Sequence, residues 1–297
     1  MGIPTIPSYQ MPNISIYPTN KVSWQVEPDR AVLLIHDMQN YFLNFYDTEQ
    51  SPIPELIHNI AKLKEQCKKQ GIPVAYTAQP GNQNAADRAL LTDFWGKGLS
   101  DDPAQTGIIK DLAPDSNDLM LTKWRYSAFK KSDFLNILEK QGRDQLIICG
   151  VYAHIGCLMT AAEAFMYDIQ PFLVADAVAD FSYDEHKMAL DYAAKRCGVT
   201  TSTDELIKVL SKGTENSNNE SLTFETIHEQ VACLLDIQAK DLSDTDDLFY
   251  MGLDSIGLMS LVEAWRQQGL EVSFMDLVER KTLAEWRDLM ESRMVKV

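Results

Sequence analysis

Between residue 31 and about residue 210, short apolar segments alternate with segments of helical periodicity. The apolar segments are continuous, which is typical of strands buried on both faces of a parallel sheet. Helices that connect such strands cover both faces, so the region predicts a three-layer α/β/α domain. The predicted strands are AVLLIHD (31–37), PVAYTAQ (73–79), DLMLTK (118–123), QLIICGV (145–151) and PFLVADA (171–177).

The helical segments of this region have ordinary start and stop signals. Between residues 54 and 70 apolar side chains recur at helical spacing, Gly71 ends the segment and Pro73 opens the next strand. In open α/β sheets ligands bind beyond the carboxyl ends of the strands, so polar residues at those ends are the candidates for a site. Further helices are predicted at residues 157–168, 184–197 and 203–211.

A change of composition divides the chain after residue 210. Residues 211–220 (SKGTENSNNE) are rich in Ser, Asn and Gly and hold no large apolar side chain. They predict a flexible linker between a domain at 1–210 and a second domain at 221–297. From Glu220 onward the chain has seven basic and 16 acidic residues and helical patterns throughout. This predicts a small, acidic, all-α bundle that offers its surface to basic partners, although a solvated helical appendage would have the same charge.

The overall charge and the cysteines restrict the partners and the compartment. A net charge of −16 argues against nucleic acid or an anionic membrane surface as the main partner. We expect no membrane span, because no apolar run has the required length, and the N-terminal segment lacks the features of a secretory signal. Five cysteines without a CxxC pair are typical of reduced thiols, so we expect a cytoplasmic protein.

Four polar residues end predicted strands: Asp37, Gln79, Lys123 and Tyr152. Asp37 either faces the mouth of the sheet or caps the following turn, and an Asp–Lys pair can be purely structural. Arg88 follows in a loop. It is either a solvated surface charge or, if the loop folds over the sheet edge, a residue that binds a carboxylate through two hydrogen bonds. These side chains are the candidates for one cleft.

Three segments together resemble the isochorismatase-like hydrolases, a superfamily that includes nicotinamidases and related amidohydrolases: LLIHDMQNYF, LTKWRYSAF and CGVYAHIGCLMTAAEAF. The resemblance covers nearly all of residues 1–210. In the amidohydrolases it implies a triad of Asp, Lys and a nucleophilic Cys, but here Gly156 stands at the nucleophile position. Cys157 follows one residue later and is rotated by about 100° on a helix, so we expect a packed thiol. The glycine favours an isochorismatase, which needs no covalent intermediate.

The isochorismatase resemblance implies a role for each of these residues. Asp37 would be the general acid and Lys123 its partner in the hydrolysis of isochorismate to pyruvate and 2,3-dihydro-2,3-dihydroxybenzoate. The difficult step protonates the terminal methylene of a vinyl ether, which requires one well-placed acid. Lys123 should lower the pKa of Asp37, whereas burial and the substrate carboxylates should raise it. The implied substrate-binding residues are Phe42, Gln79, Arg88, Trp95, Tyr152 and Gly156.

The segment FYMGLDSIGLMSL (249–261) contains a separate candidate, Ser255. A serine before an apolar helical run is an ordinary helix cap, and as a hydrolase nucleophile it lacks the G-x-S-x-G elbow. However, the acidic run before it and the short helical unit around it resemble a phosphopantetheine carrier domain, over about residues 222–297. That resemblance implies 4′-phosphopantetheine attached to Ser255. Met259 and Phe274 are either a docking patch or core residues of the bundle.

The two parts together resemble the bifunctional proteins of catecholate siderophore synthesis, which join an isochorismatase to an aryl carrier protein. The implied partners are a phosphopantetheinyl transferase, the adenylation enzyme that activates 2,3-dihydroxybenzoate and a condensation domain of a nonribosomal peptide synthetase. We also expect a homodimer. Two alternatives stay open: a cysteine-type amidohydrolase fused to a carrier domain, and a non-catalytic scaffold for the carrier. We expect no metal site, and scattered histidines that are packed or at the surface.

Overall fold

The computed structural model describes residues 2–215, 224–235, 237–267, 270 and 272–294. The chain divides into two compact units, Met1–Thr214 and Glu215–Val297. The first unit contains a β-sheet between helices, and the described residues of the second form helices and connecting turns.

The first unit is built on one sheet of six parallel strands: β1 (Ala31–His36), β2 (Val74–Ala78), β3 (Leu119–Thr122), β4 (Gln145–Val151), β5 (Gln170–Ala179) and β6 (Val199–Thr201). Their order is β3-β2-β1-β4-β5-β6, so β1 lies between β2 and β4. The chain therefore builds the sheet outward from β1 in one direction and then in the other. This change of direction is where ligands bind in open α/β sheets.

Nine helices surround the sheet in the described part of this unit: α1 (Asn40–Leu43), α2 (Ile53–Lys69), α3 (Ala85–Arg88), α4 (Leu91–Trp95), α5 (Pro103–Thr106), α6 (Phe134–Lys140), α7 (Leu158–Met166), α8 (Tyr183–Tyr192) and α9 (Thr203–Glu215). Leu33 and Ile35 of β1 pack in a core with α2 and α9 on one face. Val32 and Leu34 pack in a second core with α6, α7 and α8 on the other face. Because strand side chains alternate between faces, β1 must be apolar throughout.

The predicted parallel sheet and its three layers are confirmed, and each of the five predicted strands agrees with the structure to within two residues at either end. The sequence patterns missed β6, which has three residues, and the short helices α1, α3, α4, α5 and α6, which have four to seven residues. The helix predicted at 184–197 changes to a π-helical turn at Ala193. Helix α9 runs on to Glu215, so residues 211–215 of the predicted linker are helical. The cost of one glycine in a helix, about 1 kcal/mol, does not end it at Gly213. Residues 216–220 of that linker lie outside the described residues.

The second unit has the predicted all-helical architecture, with α10 (Phe224–Leu234), α11 (Ser255–Gln267), α12 (Phe274–Val278) and α13 (Leu283–Met294). Its core centres on Trp265 and Trp286, whose rings meet edge to face with centroids 5.8 Å apart. The indole N–H of Trp286 donates to the carbonyl of Leu277, which joins α13 to α12. Within the described ranges of both units, no helix is both long enough and apolar enough to cross a membrane.

Candidate active site

A pocket opens at the carboxyl ends of β1, β2, β3 and β4. Its volume, open mouth included, is about 590 Å³, which suits one small molecule. All the residues that the sequence analysis assigned to the hydrolase site line this pocket: Asp37, Phe42, Gln79, Arg88, Trp95, Lys123, Tyr152 and Gly156.

Three neighbouring strands hold the carboxylate of Asp37. Parallel pairing places His36 of β1 opposite Thr77 of β2. The Thr77 hydroxyl donates to Oδ1 of Asp37 at 2.6 Å and accepts from the Asp37 backbone N–H at 3.0 Å. Lys123 follows β3, its N–H bonded to the carbonyl of Ala78, and its Nζ donates to Oδ2 of Asp37 at 3.1 Å. The acid and its lysine partner are therefore fixed by the register of the sheet.

The Asp37–Lys123 pair is almost completely buried, with exposures of 4% and 3%. Burial by itself would raise the pKa of Asp37, but the Lys123 ammonium and the Thr77 hydrogen bond outweigh it and lower the pKa below its ordinary value. Asp37 is therefore ionised at neutral pH. An acid that donates a proton from this position must first acquire one.

Arg88 is a buried cation at the pocket wall, with 4% exposure. Its Nε donates to the carbonyl of Gly96 at 2.5 Å, and no ion pair with a carboxylate occurs among the described residues. Burial lowers the pKa of its guanidinium. Gly98 adopts a φ of 76°, and a Cβ at that position would lie 2.3 Å from Nη1 of Arg88. The loop that contains Gly98 therefore packs directly against Arg88. The guanidinium of Arg88 lacks the carboxylate with which a buried arginine usually pairs.

Arg125 adds a third positive charge to the pocket lining, although the sequence analysis did not select it. It is half-buried, and its Nη1 donates to the carbonyls of Asp87 and Trp124. The charged groups of the lining are thus Arg88, Lys123 and Arg125 against the single carboxylate of Asp37. This balance favours a ligand with two negative charges, although the whole chain is strongly acidic.

Aromatic rings form the apolar wall of the pocket. The rings of Phe42 and Tyr152 meet edge to face with centroids 6.0 Å apart, and the Tyr152 hydroxyl donates to the carbonyl of Phe42 at 3.0 Å. Trp95 contacts Phe181 and donates from its indole N–H to the hydroxyl of Tyr126. The pocket therefore combines one planar apolar wall with a cationic side, which fits a cyclic organic anion.

Ser255 lies in the second unit, where it is the exposed first residue of α11. The side chain of Asp254 accepts from the N–H of Gly257 at 2.8 Å, so the aspartate rather than the serine caps the helix. Met259 is 58% exposed on the same helix. Phe274 is half-buried against the bundle core, whereas its neighbour Met275 is 59% exposed. The serine is thus accessible to a modifying enzyme, next to an apolar surface to which Met259 contributes.

Comparison with known families identifies both units. The isochorismatase domain family matches residues 31–205, more than half of the chain. The chain belongs to the isochorismatase family. The phosphopantetheine attachment site family matches residues 225–290, which include Ser255.

Two relatives of this isochorismatase-family chain match over its whole length. It is 54% identical to the isochorismatase of Bacillus subtilis (strain 168), covering 100% of this chain and 98% of that protein. It is 45% identical to enterobactin synthase component B of Escherichia coli (strain K12), with 100% of both chains covered. Among solved structures, a cysteine hydrolase from Pseudomonas syringae pv. phaseolicola 1448A has a TM-score of 0.60 at 22% identity, covering 66% of this chain and 98% of that one. That likeness shows the shared fold.

Gly156 and Cys157 distinguish this isochorismatase-family site from one with a thiol nucleophile. Gly156 lines the pocket within a π-helical turn, Ala153–Cys157, that follows β4. Cys157 is fully buried in the core beneath α7, and burial raises the pKa of its thiol well above the ordinary value. The prediction of a packed thiol is confirmed.

Three residues that support the site were not predicted as parts of it. Thr77 is the one aliphatic hydroxyl residue of β2, whose other residues are Val, Ala and Tyr. Gln39 is fully buried and bridges two segments: its Nε2 donates to the carbonyls of Gln79 and Thr106, and its Oε1 accepts from the N–H of Gln79. His36 ends β1 and is buried beside Asp37. Thr77 could have been selected from the sequence because it is a polar residue inside an apolar run. Nothing in the sequence identified the hydrogen-bond partners of these three residues.

In the part of the chain that the structure describes, one group of potential metal ligands occurs, outside the pocket lining: His154, Asp180 and Glu185. Asp180 accepts from both the backbone N–H and Nδ1 of His154, and this pairing raises the pKa of the imidazole. Glu185 accepts from Ser182 at the start of α8. These hydrogen bonds account for the arrangement, in line with the structural roles expected for the histidines.

Proposed function

We propose that the first unit hydrolyses isochorismate to pyruvate and 2,3-dihydro-2,3-dihydroxybenzoate, and that the second unit carries 2,3-dihydroxybenzoate as a thioester for nonribosomal siderophore synthesis. The observation that carries the first half is the pocket itself: two arginines and one buried Asp–Lys pair line it, and a glycine stands at the nucleophile position. The names of two full-length relatives, an isochorismatase and a component of enterobactin synthase, agree with both halves.

The charge of the substrate matches the charge of the pocket. Isochorismate carries two carboxylates, and Arg88 and Arg125 are the cations of the pocket lining that form no ion pair with an acidic side chain in the described structure. Arg88 binds one carboxylate through its fork of N–H donors. Phe42 and Trp95 contact the cyclohexadiene ring, and Gln79 and Tyr152 line the same space. Gly156 lines the pocket without a side chain that could act as a nucleophile.

Hydrolysis of the vinyl ether then needs one proton transfer from Asp37. The proton on the Asp37 carboxyl moves to the terminal methylene carbon, and the π electrons form the new C–H bond and leave an oxocarbenium ion. Water adds to the neighbouring carbon, which bears the ether oxygen and the positive charge, and returns a proton to Asp37. In the resulting hemiketal the new hydroxyl loses its proton as its C–O bond becomes the ketone of pyruvate, the bond from that carbon to the ring oxygen breaks, and the ring oxygen takes up a proton to give the diol. Lys123 holds the carboxylate in place, and bound substrate supplies the negative charge that raises the pKa of Asp37.

The amidohydrolase alternative is disfavoured by one observation, the burial of Cys157 away from the pocket. A scaffold without activity is disfavoured by the maintained hydrogen bonds of the Asp37–Lys123–Thr77 group, since a buried charge pair has no evident structural use at the pocket floor.

The carrier half rests on Ser255, exposed at the start of a 13-residue helix whose cap is Asp254. Free N–H groups at a helix start suit a phosphate, so the position fits a phosphodiester-linked arm. The 4′-phosphopantetheine arm would supply a thiol that forms the thioester. A phosphopantetheinyl transferase, a 2,3-dihydroxybenzoate-activating adenylation enzyme and a condensation domain are the proposed partners, with Met259 and Phe274 at the docking surface. A cytoplasmic homodimer belongs to the same proposal.

The decisive experiment is pyruvate release from isochorismate, coupled to lactate dehydrogenase. Asp37→Asn should lower kcat by about 10²–10⁴-fold, the usual contribution of a general acid. Asp176→Asn is the matched control, because Asp176 is half-buried, bonds Thr203 and lies outside the pocket lining. Normal turnover by Asp37→Asn, or no pyruvate from the folded wild type, would refute the hydrolase assignment.

The carrier assignment has its own test. Wild type incubated with coenzyme A and a phosphopantetheinyl transferase should gain the mass of one phosphopantetheinyl group, and Ser255→Ala should gain none. Ser260→Ala is the matched control, since Ser260 is exposed on the same helix. Modification of the Ser255→Ala protein would contradict the assignment.

A further inference from the structure

The imidazole of His36 occupies the space that a side chain at position 156 would need. A Cβ built on Gly156 would lie 2.0 Å from Cε1, 2.7 Å from Nε2 and 2.8 Å from Nδ1 of His36. Real Cβ contacts below 3.0 Å essentially do not occur. Either the ring moves or residue 156 must be glycine.

The ring is held from two sides and enclosed. His36 is 1% exposed, with Nδ1 2.8 Å from the carbonyl of Val151 and Nε2 3.3 Å from the carbonyl of Tyr126. Burial lowers the pKa of His36 to about 4, so the imidazole is neutral and carries one N–H. The shorter distance places that hydrogen on Nδ1, where it donates to Val151. Rotating the ring away from Gly156 would break this buried hydrogen bond.

We propose that His36 is a specificity-determining residue: its ring closes the nucleophile position of this fold and so restricts the pocket to hydrolysis by water. Position 156 is the one at which the resemblance to amidohydrolases places a thiol, and a solved structure with this fold is a cysteine hydrolase. The reaction class in this inference rests on the proposed function. The steric exclusion stands on the geometry of His36 and Gly156 alone.

A consequence is that a side chain at position 156 requires a smaller residue at position 36. Gly156→Cys alone would place a Cβ, and a sulfur beyond it, against the buried, hydrogen-bonded ring of His36. His36→Ala alone would leave a cavity beside Asp37. A thiol that reaches the pocket requires both substitutions.

The test uses the full chain with Cys233→Ser as the background, because Cys233 is the exposed cysteine and the other four are buried. Four proteins are compared: the background, Gly156→Cys, His36→Ala, and the double variant. Reaction with a small aromatic disulfide measures thiol accessibility. The introduced thiol should react about tenfold faster or more in the double variant than in Gly156→Cys.

A parallel series with Gly156→Ala measures the steric coupling in the melting transition of the first unit. Gly156→Ala should lower the melting temperature by about 5–10 °C when His36 is present and by about 2 °C in the His36→Ala background. Equal losses in both backgrounds, together with equal thiol reactivity, would overturn the proposal. Neither readout depends on isochorismate, so failure of the proposed function is a separate result, seen as absent pyruvate release from the wild type.

Discussion

Replacing Arg88 by methionine should make the protein more stable and much less active. Arg88 is 4% exposed and has no carboxylate partner in the described structure, so folding removes its charge from water without compensation. Methionine fills a similar volume without that cost. We expect a gain of about 1 kcal/mol in the free energy of unfolding, or a rise of about 2–4 °C in melting temperature.

The same substitution removes the proposed ligand of a substrate carboxylate. Truncating one partner of a buried, hydrogen-bonded charge pair costs about 2–5 kcal/mol. A mid-range loss of about 3 kcal/mol corresponds to a decrease in kcat/KM of about 100-fold. The loss should fall mainly on KM, because the carboxylate keeps its charge throughout the reaction. Arg88→Lys keeps the charge but not the fork and should lose about tenfold.

Arg143→Met is the matched control for this prediction. Arg143 is half-buried and its Nη1 donates to the carbonyls of Pro28 and Ala31, at the other end of β1 from the pocket. Its loss should lower the melting temperature and leave kcat/KM unchanged. Calorimetry and the coupled pyruvate assay measure both quantities. A less stable Arg88→Met protein with kcat/KM within threefold of wild type would show that the guanidinium is structural, and would refute the reasoning.

Three further predictions follow from the same geometry. Gly98→Ala should raise KM about tenfold in the pyruvate assay, because its Cβ would displace the guanidinium of Arg88; an unchanged KM would mean that the loop adjusts. Binding of a non-hydrolysable substrate analogue at about pH 5.5 should take up a proton, which titration calorimetry in buffers of different ionisation enthalpy detects and Asp37→Asn should abolish; zero uptake by wild type would contradict the role of Asp37. Burial lowers the pKa of both His36 and His186 from 6.5 to about 4. The free energy of unfolding should therefore be highest above pH 6.5 and should decrease by about 2–3 kcal/mol for each histidine as the pH falls towards 4. Urea unfolding should show lower stability at pH 4.5 than at pH 7. Equal stability at the two pH values would show that the histidines are not buried as neutral groups.

The strands were predictable because burial on both faces makes each one a continuous apolar run. QLIICGV gave β4 without error, since all seven of its residues are buried. The strand β6 has three residues, too few for any periodicity, and was missed. The end of α9 was misplaced because Ser, Gly and Thr were taken as a boundary, whereas the helix continues through them to Glu215.

Individual residues of the site were predictable from the sequence, but the hydrogen bonds and steric contacts between them were not. Strand ends pointed to Asp37 and Lys123, but their functional roles came from family resemblance. The hydrogen bond from Thr77 depends on the register of β1 against β2, which the sequence does not specify. The steric exclusion between His36 and Gly156 joins residues 120 positions apart, and only the packed sheet brings them together.

The low pKa of Asp37 explains why this general acid would be protonated only when substrate is bound. Without substrate, the Lys123 ammonium and the Thr77 hydrogen bond outweigh burial and keep the Asp37 carboxylate ionised. Two substrate carboxylates in the pocket would favour the protonated form of Asp37 and raise its pKa towards the range in which a general acid works near neutral pH. A neutral or singly charged ligand would produce half of that shift or less. The two substrate carboxylates would then account both for binding to the cationic pocket and for the protonation of Asp37. A substrate analogue that lacks one carboxylate should therefore lose kcat as well as affinity.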